Sequence, residues 1–268
     1  MTAPLGIIGK EGALWMWAEL LRGSALIATT LFAFGAVMGS FLSVCVYRIP
    51  RKESILFPGS HCPICKHRIP FYDNIPVLSY ILLKGRCRFC NSSISFKYPL
   101  VELLTGVAFL FAFIRFGFSL QLISCIVFFS LLIVAAFIDF DTETVPNKIT
   151  IPGMIVGLAL SPLTISTLKS VLGLVTGMTA LYLIALVGGL IFKKEAMGGG
   201  DIKFLAMIGA FLGPINVLIV LFIGSLIGAI TGFIIRRRRI TFAPFLSVAG
   251  FAVALYGNQI QQLIINKV

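Results

Sequence analysis

Charge is scarce in this sequence: of 268 residues only 12% are Asp, Glu, Lys or Arg, and just 10 are acidic. A soluble domain carries charge on roughly a quarter of its residues. With 58% hydrophobic residues and a mean hydropathy of +1.02, such a domain is excluded and several helices must span a bilayer. Histidine is scarcer still. His61 and His67 lie in one loop, so no serine–histidine or cysteine–histidine set competes as catalytic machinery. A cleavable leader is also missing: Lys10, Glu11 and Glu19 surround Trp15 and Trp17, and no small-residue cleavage site follows, so the first span is expected to stay in place. Nor is there a Gly-rich nucleotide loop in a strand–turn–helix setting.

What is present is an excess of cations beside apolar segments. The net charge of +12 raises nucleic-acid binding as a possibility, but the basic residues form no domain of their own, and no nucleic-acid partner is expected. Residues 48–98 carry Arg48, Arg51, Lys52, Lys66, Arg68, Lys84, Arg86, Arg88 and Lys97 against Glu53 and Asp73. The positive-inside rule places this loop in the cytoplasm. The run Arg236–Arg239 marks the same side, with anionic membrane lipid as a further possible partner.

About 20 apolar residues are needed to cross the hydrocarbon core. The apolar stretches give spans near 25–47, 99–116, 119–139, 149–166, 170–192, 201–213, 214–235 and 242–264, the fifth closed by Lys193, Lys194 and Glu195. The expected fold is therefore an all-α polytopic membrane protein of about eight transmembrane helices, with a cytoplasmic zinc-ribbon-like insert between the first and second. Three regions follow: a non-cytoplasmic N-terminal segment 1–24, the first span with its insert over 25–98, and a multi-span unit over 99–268.

Two carboxylates stand where a charge is expensive. Asp139 closes the third span after the wholly apolar Leu131–Ile138, before Asp141, Glu143 and Pro146 end the helix. Asp201 opens the sixth, directly after Gly198-Gly199-Gly200. Singly, the first reads as a solvated helix end and the second as an N-cap. Together with three residues lacking Cβ atoms, which leave open backbone for an extended peptide, they read as a pair that could share a water and hydrolyse a peptide bond.

Cys62-Pro63-Ile64-Cys65 and Cys87-Arg88-Phe89-Cys90 are two C-x2-C pairs separated by 21 residues, close to zinc-ribbon spacing. In a reducing compartment four such thiols favour metal over disulfides. Two knuckles give a closed four-thiolate shell, so zinc is expected to be structural, and to help fold an insert with little apolar sequence. His61 and His67 read as bystanders, though either could replace a cysteine as ligand. Cys45 and Cys125, in apolar segments, read as small buried hydrophobes.

These residues resemble the type IV prepilin peptidases, membrane aspartyl proteases with a Gly-x-Gly-Asp motif. The motif is read here as Gly198-Gly199-Gly200-Asp201-Ile202-Lys203. The family's first aspartate precedes a proline by seven positions, which selects Asp139 through Pro146-Asn147-Lys148-Ile149-Thr150. The likeness continues through Gly39-Ser40-Phe41-Leu42, Tyr47-Arg48-Ile49-Pro50, Asp73-Asn74-Ile75-Pro76 and Tyr98-Pro99-Leu100-Val101-Glu102. Ser43 stands where the family usually has asparagine, and Thr241 and Ala243 replace its usual proline and glycine before Pro244.

The resemblance implies a bacterial inner-membrane enzyme that cuts prepilin or pseudopilin leaders after glycine on the cytoplasmic side. It further implies N-methylation of the new terminus with S-adenosylmethionine, for which Asp73, Asn74, Arg86 and Glu102 are candidate polar residues. An ion- or proton-coupled transporter with a regulatory zinc ribbon is the competing reading. It calls for polar residues along helix middles, which are apolar here.

Overall fold

The computed structural model describes residues 10–192, 197–235 and 241–265. The clusters Lys193–Glu195 and Arg236–Arg239 lie outside the described residues. Eight long helices carry the chain: α1 Lys10–Arg48, α3 Lys97–Phe116, α4 Leu120–Thr142, α5 Asn147–Leu160, α6 Thr167–Phe192, α7 Gly199–Leu212, α8 Pro214–Ile235 and α9 Ala243–Ile265. The short α2, Leu78–Leu82, sits between α1 and α3, and no strand occurs among the described residues. The helical membrane architecture expected from hydropathy is the one observed. One boundary differs: α1 begins at Lys10, so the chain before residue 25 continues the first helix.

Among the described residues, five helical stretches are long and apolar enough to cross a membrane: Leu26–Arg48, Lys97–Phe116, Leu120–Thr142, Thr167–Ile191 and Pro214–Ile235. In α9 the apolar part is Ala243–Gly257. Helices α5 and α7 have 14 residues each, about 21 Å of rise against a hydrocarbon core of about 30 Å. Their ends explain why. Helix α5 gives way to a 3-10 turn at Ser161–Leu163, where Pro162 cannot continue it. Helix α7 stops at Gly213, φ +83°, and Pro214 starts α8.

Helix α7 is the centre of the bundle. Phe204, Leu205, Ala206, Met207, Ile208 and Ala210 are all fully shielded. A helix apolar on every side is stable in that position because it has a neighbour on every side. Close contact needs small residues. A methyl on Gly177 of α6 would lie 2.6 Å from the Leu205 carbonyl oxygen of α7, and one on Gly39 of α1 would lie 2.6 Å from Cα of Glu102 in α3. Both belong to Gly-x3-Gly runs, Gly173–Gly177 and Gly35–Gly39, which let helix backbones touch where apolar side chains gain nothing over lipid. Helices α6 and α8 form the outer wall, with only 11% of their most apolar windows buried.

Candidate active site, metal centre and cavity

Helix α4 ends one turn after Asp139. Glu143 adopts the left-handed conformation at its C-terminus, φ 53°, and its N–H donates to the Asp139 carbonyl at 2.8 Å. The side chain of Asp139 is only 3% exposed. Its Oδ2 accepts a hydrogen bond from the Ala243 N–H at 3.1 Å, one of the donors that the start of α9 cannot satisfy within its own helix. The carboxylate thus ties α4 to α9 with one oxygen and leaves the other uncommitted to that contact.

Asp201 is the third residue of α7, and its N–H donates to the Gly198 carbonyl at 3.1 Å. The Asp139 and Asp201 carboxylates lie close enough for the charge of one to act on the other. Two contacts fix that approach. A Cβ on Gly200 would sit 2.9 Å from the Val145 carbonyl oxygen, so the loop after α4 rests directly on the α7 backbone. Lys203 then donates through Nζ to Asn147 Oδ1 at 2.9 Å, joining α7 to the start of α5. The three glycines have different surroundings. Gly200 is taken up by Val145, whereas Gly198 and Gly199 are exposed, and a methyl on Gly199 would meet nothing within 4 Å among the described residues. An apolar cleft of about 230 Å³ is bounded by Leu181, Leu221 and Phe245, by Met197, which precedes Gly198, and by Phe242, which precedes Ala243.

The four cysteines converge. Their sulfur atoms all lie within 4.8 Å of one another, and Cys62 and Cys90 are 3.8 Å apart. Four thiolates bound tetrahedrally at about 2.3 Å would hold their sulfurs about 3.8 Å apart, so the donor set fits zinc. The two knuckles repeat one conformation. Lys66 N–H bonds to the Cys62 carbonyl and Asn91 N–H to the Cys87 carbonyl, with Lys66 and Asn91 both left-handed. Isolated bridges His61–Arg68 and Arg86–Ser93 close the two turns.

Burial opposes ionisation of Cys62, but the N–H groups of Cys65 and Ile64 and the Ser92 hydroxyl outweigh it and bring the thiol down to about 6. The Ser92 hydroxyl also lowers Cys90. Cys65 gains from the His67 N–H, but desolvation and the sulfurs of Cys90, Cys62 and Cys87 push it up to about 11. Four ionised sulfurs so close together need a cation among them.

Between the end of α1, the insert and the start of α3 is a cavity of about 520 Å³, within the usual range for a small-molecule site. Asp73, Asn74 and Glu102 line it; Arg86 is exposed and lies outside that wall. Arg48, which the sequence marked as a basic loop residue within Tyr47-Arg48-Ile49-Pro50 but not as a cavity residue, is buried on the same wall and donates to the carbonyls of Ser54, Ile55 and Gly59 at 2.9, 3.4 and 3.4 Å. The sequence did not point to the Ala243 N–H or to Val145, because both act through backbone atoms that leave no residue-type signal.

Fold and site together define a helical, polytopic membrane protein with paired carboxylates at two helix ends and a four-thiol centre between its first two spans. The Bacterial Peptidase A24 N-terminal domain matches residues 33–116, and the Type IV leader peptidase family matches residues 126–233. The chain belongs to the type IV leader peptidase family. It is 43% identical over 209 residues to a prepilin leader peptidase/N-methyltransferase of Myxococcus xanthus, a match covering 77% of this chain and 62% of that protein. Proteins with the same description from Bacillus subtilis and Neisseria gonorrhoeae are 38% and 34% identical, the matches covering 86% and 82% of this chain and 94% and 87% of theirs. These relatives give the transporter reading no support. No solved structure matches the chain.

Proposed function

We propose that the chain cleaves the leader of prepilins or pseudopilins with Asp139 and Asp201, on the cytoplasmic side of a bacterial inner membrane, and methylates the new N-terminus. The observation that supports the peptidase reading is the placement of two carboxylates at separate helix ends, near enough for the charge of one to act on the other, with the Gly198–Gly199 backbone exposed beside Asp201. Two carboxylates that act on the same water favour a state in which the pair shares one proton. The ionised carboxylate takes a proton from water, and the protonated one hydrogen-bonds the scissile carbonyl oxygen as it becomes negative. An extended substrate strand can lie against Gly198 and Gly199, and the apolar cleft beside them suits an apolar segment flanking the cut.

Zinc bound by Cys62, Cys65, Cys87 and Cys90 supplies folding free energy to the insert and no chemistry, since a four-thiolate shell leaves no open position. S-adenosylmethionine supplies an activated methyl group when bound, and the cavity walled by Asp73, Asn74 and Glu102 is the site we assign to methyl transfer. The excess of Lys and Arg in residues 48–98 supports placement of the insert in the cytoplasm.

The test is cleavage of a purified prepilin in detergent or membranes by wild type, Asp139→Asn and Asp201→Asn. Asparagine keeps an acceptor for the Ala243 N–H, so Asp139→Asn should remain folded. Each substitution is expected to abolish cleavage; a variant that stays folded and still cuts would refute the pair.

A further inference from the structure

We propose that Glu102 is the carboxylate that receives the amino group to be methylated and takes its proton, an inference that rests on assigning the α1–insert–α3 cavity to methyl transfer. Glu102 is buried on that cavity's wall, 8% exposed, and has no basic partner among the described residues. A buried carboxylate is costly unless paired or hydrogen-bonded. Here it accepts the Val77 N–H through Oε2 at 2.7 Å and faces the Ser40 hydroxyl of α1, two neutral donors for a full charge.

Four of the five Lys and Arg side chains on the same wall are engaged elsewhere. Arg88 pairs with Asp73, Lys97 pairs with Asp141, and Arg48 is held by three carbonyls. Arg51 lies over the Tyr47 ring. The other titratable side chains there besides the cysteines, Glu53, His61, Lys66, His67, Tyr80 and Tyr98, form no ion pair with it. The wall therefore presents an anion without a counter-ion to whatever the cavity binds. Val77 is held with φ 60° and ψ −47°, a conformation a β-branched residue rarely adopts, and such backbone persists where the surroundings impose it. The carboxylate and the strained loop fix each other in place.

Two cations take part in methyl transfer, a sulfonium donor and an N-terminal ammonium. The position of the cavity favours the ammonium. Its lining extends to Lys97 and Asp141, and Asp141 lies two residues beyond Asp139 on α4. A terminus produced at Asp139 and Asp201 has a short path to it. An ammonium cannot attack carbon, because its nitrogen has no lone pair. Glu102 removes one proton and leaves a neutral amine. The nitrogen lone pair then forms the bond to the methyl carbon as the carbon–sulfur bond of the sulfonium breaks, its electron pair passing to sulfur. The proton on Glu102 leaves to water.

The experiment uses the full zinc-loaded chain in detergent. Wild type and Glu102→Gln are compared for binding of a mature-terminus peptide with a free amine or with an acetylated one, and for single-turnover methylation of cut substrate from pH 6 to 9. Glutamine still accepts the Val77 N–H, so a purely structural role survives the substitution, and zinc content with helical signal checks the fold. Wild type is expected to prefer the free amine about ten-fold, and the variant to lose that preference. Methylation should fall roughly a hundred-fold near neutral pH, as for loss of a general base, and recover as pH approaches the amine's own value of about 8. A folded variant with wild-type preference and pH profile overturns the role of Glu102 alone. If wild type neither methylates nor binds S-adenosylhomocysteine, the cavity assignment falls and the proposal with it. If the variant loses S-adenosylhomocysteine binding but keeps the free-amine preference, the carboxylate serves the sulfonium donor and the proposal is overturned.

Discussion

The insert and the helical bundle are held together by different physics. In the bundle, Phe204 to Ile208 of α7 are completely enclosed by neighbouring helices, and glycines set how closely those helices approach. In the insert many large apolar side chains face outward: Leu56, Phe57, Phe71 and Leu82 are 75%, 78%, 87% and 80% exposed. Its buried cysteines are Cys62 and Cys87, and four clustered sulfurs take the place of a core. A bundle stabilised along its whole length tolerates local damage, whereas a segment organised around one point fails together when that point is lost.

The largest effect should come from removing the zinc proposed at the four thiols. Structural zinc contributes on the order of 10 kcal/mol in small metal-folded units. Chelation, or Cys62→Ser, is therefore expected to open residues 56–96 to protease while α4–α9 stay protected. Equal loss of protection in both regions would break the contrast. In the bundle the counterpart is Gly177→Leu, whose first side-chain atom would lie 2.6 Å from the Leu205 carbonyl oxygen. Overpacking of this kind costs about 1–3 kcal/mol, and thermal unfolding in detergent should register it without loss of zinc.

Gly200 and Gly199 sharpen the comparison at the active end. Gly200→Ala places a methyl 2.9 Å from the Val145 carbonyl oxygen, whereas Gly199→Ala meets nothing within 4 Å. The first is expected to lower the melting temperature and cleavage together, at about 1 kcal/mol or more. The second should leave the melting temperature within error. Equal shifts would mean that Val145 moves aside freely.

The smallest effect is electrostatic. The Arg88 guanidinium, hydrogen-bonded to Asp73 at 2.6 and 2.7 Å, holds that carboxyl below its usual value. The folded state then favours the ionised form. The stabilisation is complete above the ordinary carboxylate range and is lost as pH falls through the lowered folded value. Arg88 is 50% exposed on its side chain, so salt should weaken the pair. Acid-induced proteolysis near Asp73 that is insensitive to Asp73→Asn would remove this contribution.

Much of this was legible in residue types. Long apolar runs gave the helices, because in lipid the backbone must satisfy its own hydrogen bonds. The C-x2-C spacing gave the sulfur cluster because knuckle geometry is local, and the two turns indeed repeat. The short α7 was legible, because the expected span 201–213 is already too short to cross the hydrocarbon core. The short α5 was less so: its apolar sequence runs on to 166 like that of a crossing helix, and the turn at Ser161-Pro162 ends it at Leu160. Equivalent-looking glycines could not be told apart either, since Gly200 meets Val145 and Gly199 meets nothing.

By itself the sequence determined that the chain is a multi-span helical protein with four clustered thiols and two carboxylates at helix ends, because each of these follows from composition or short-range spacing. Tertiary structure decided what lies across from what. It set the Ala243 N–H against Asp139, put α7 at the centre of the bundle, and left Glu102 on a cavity wall without a cation. Those facts join residues up to 104 positions apart in the chain, and they arise from helix packing, which short-range spacing does not encode.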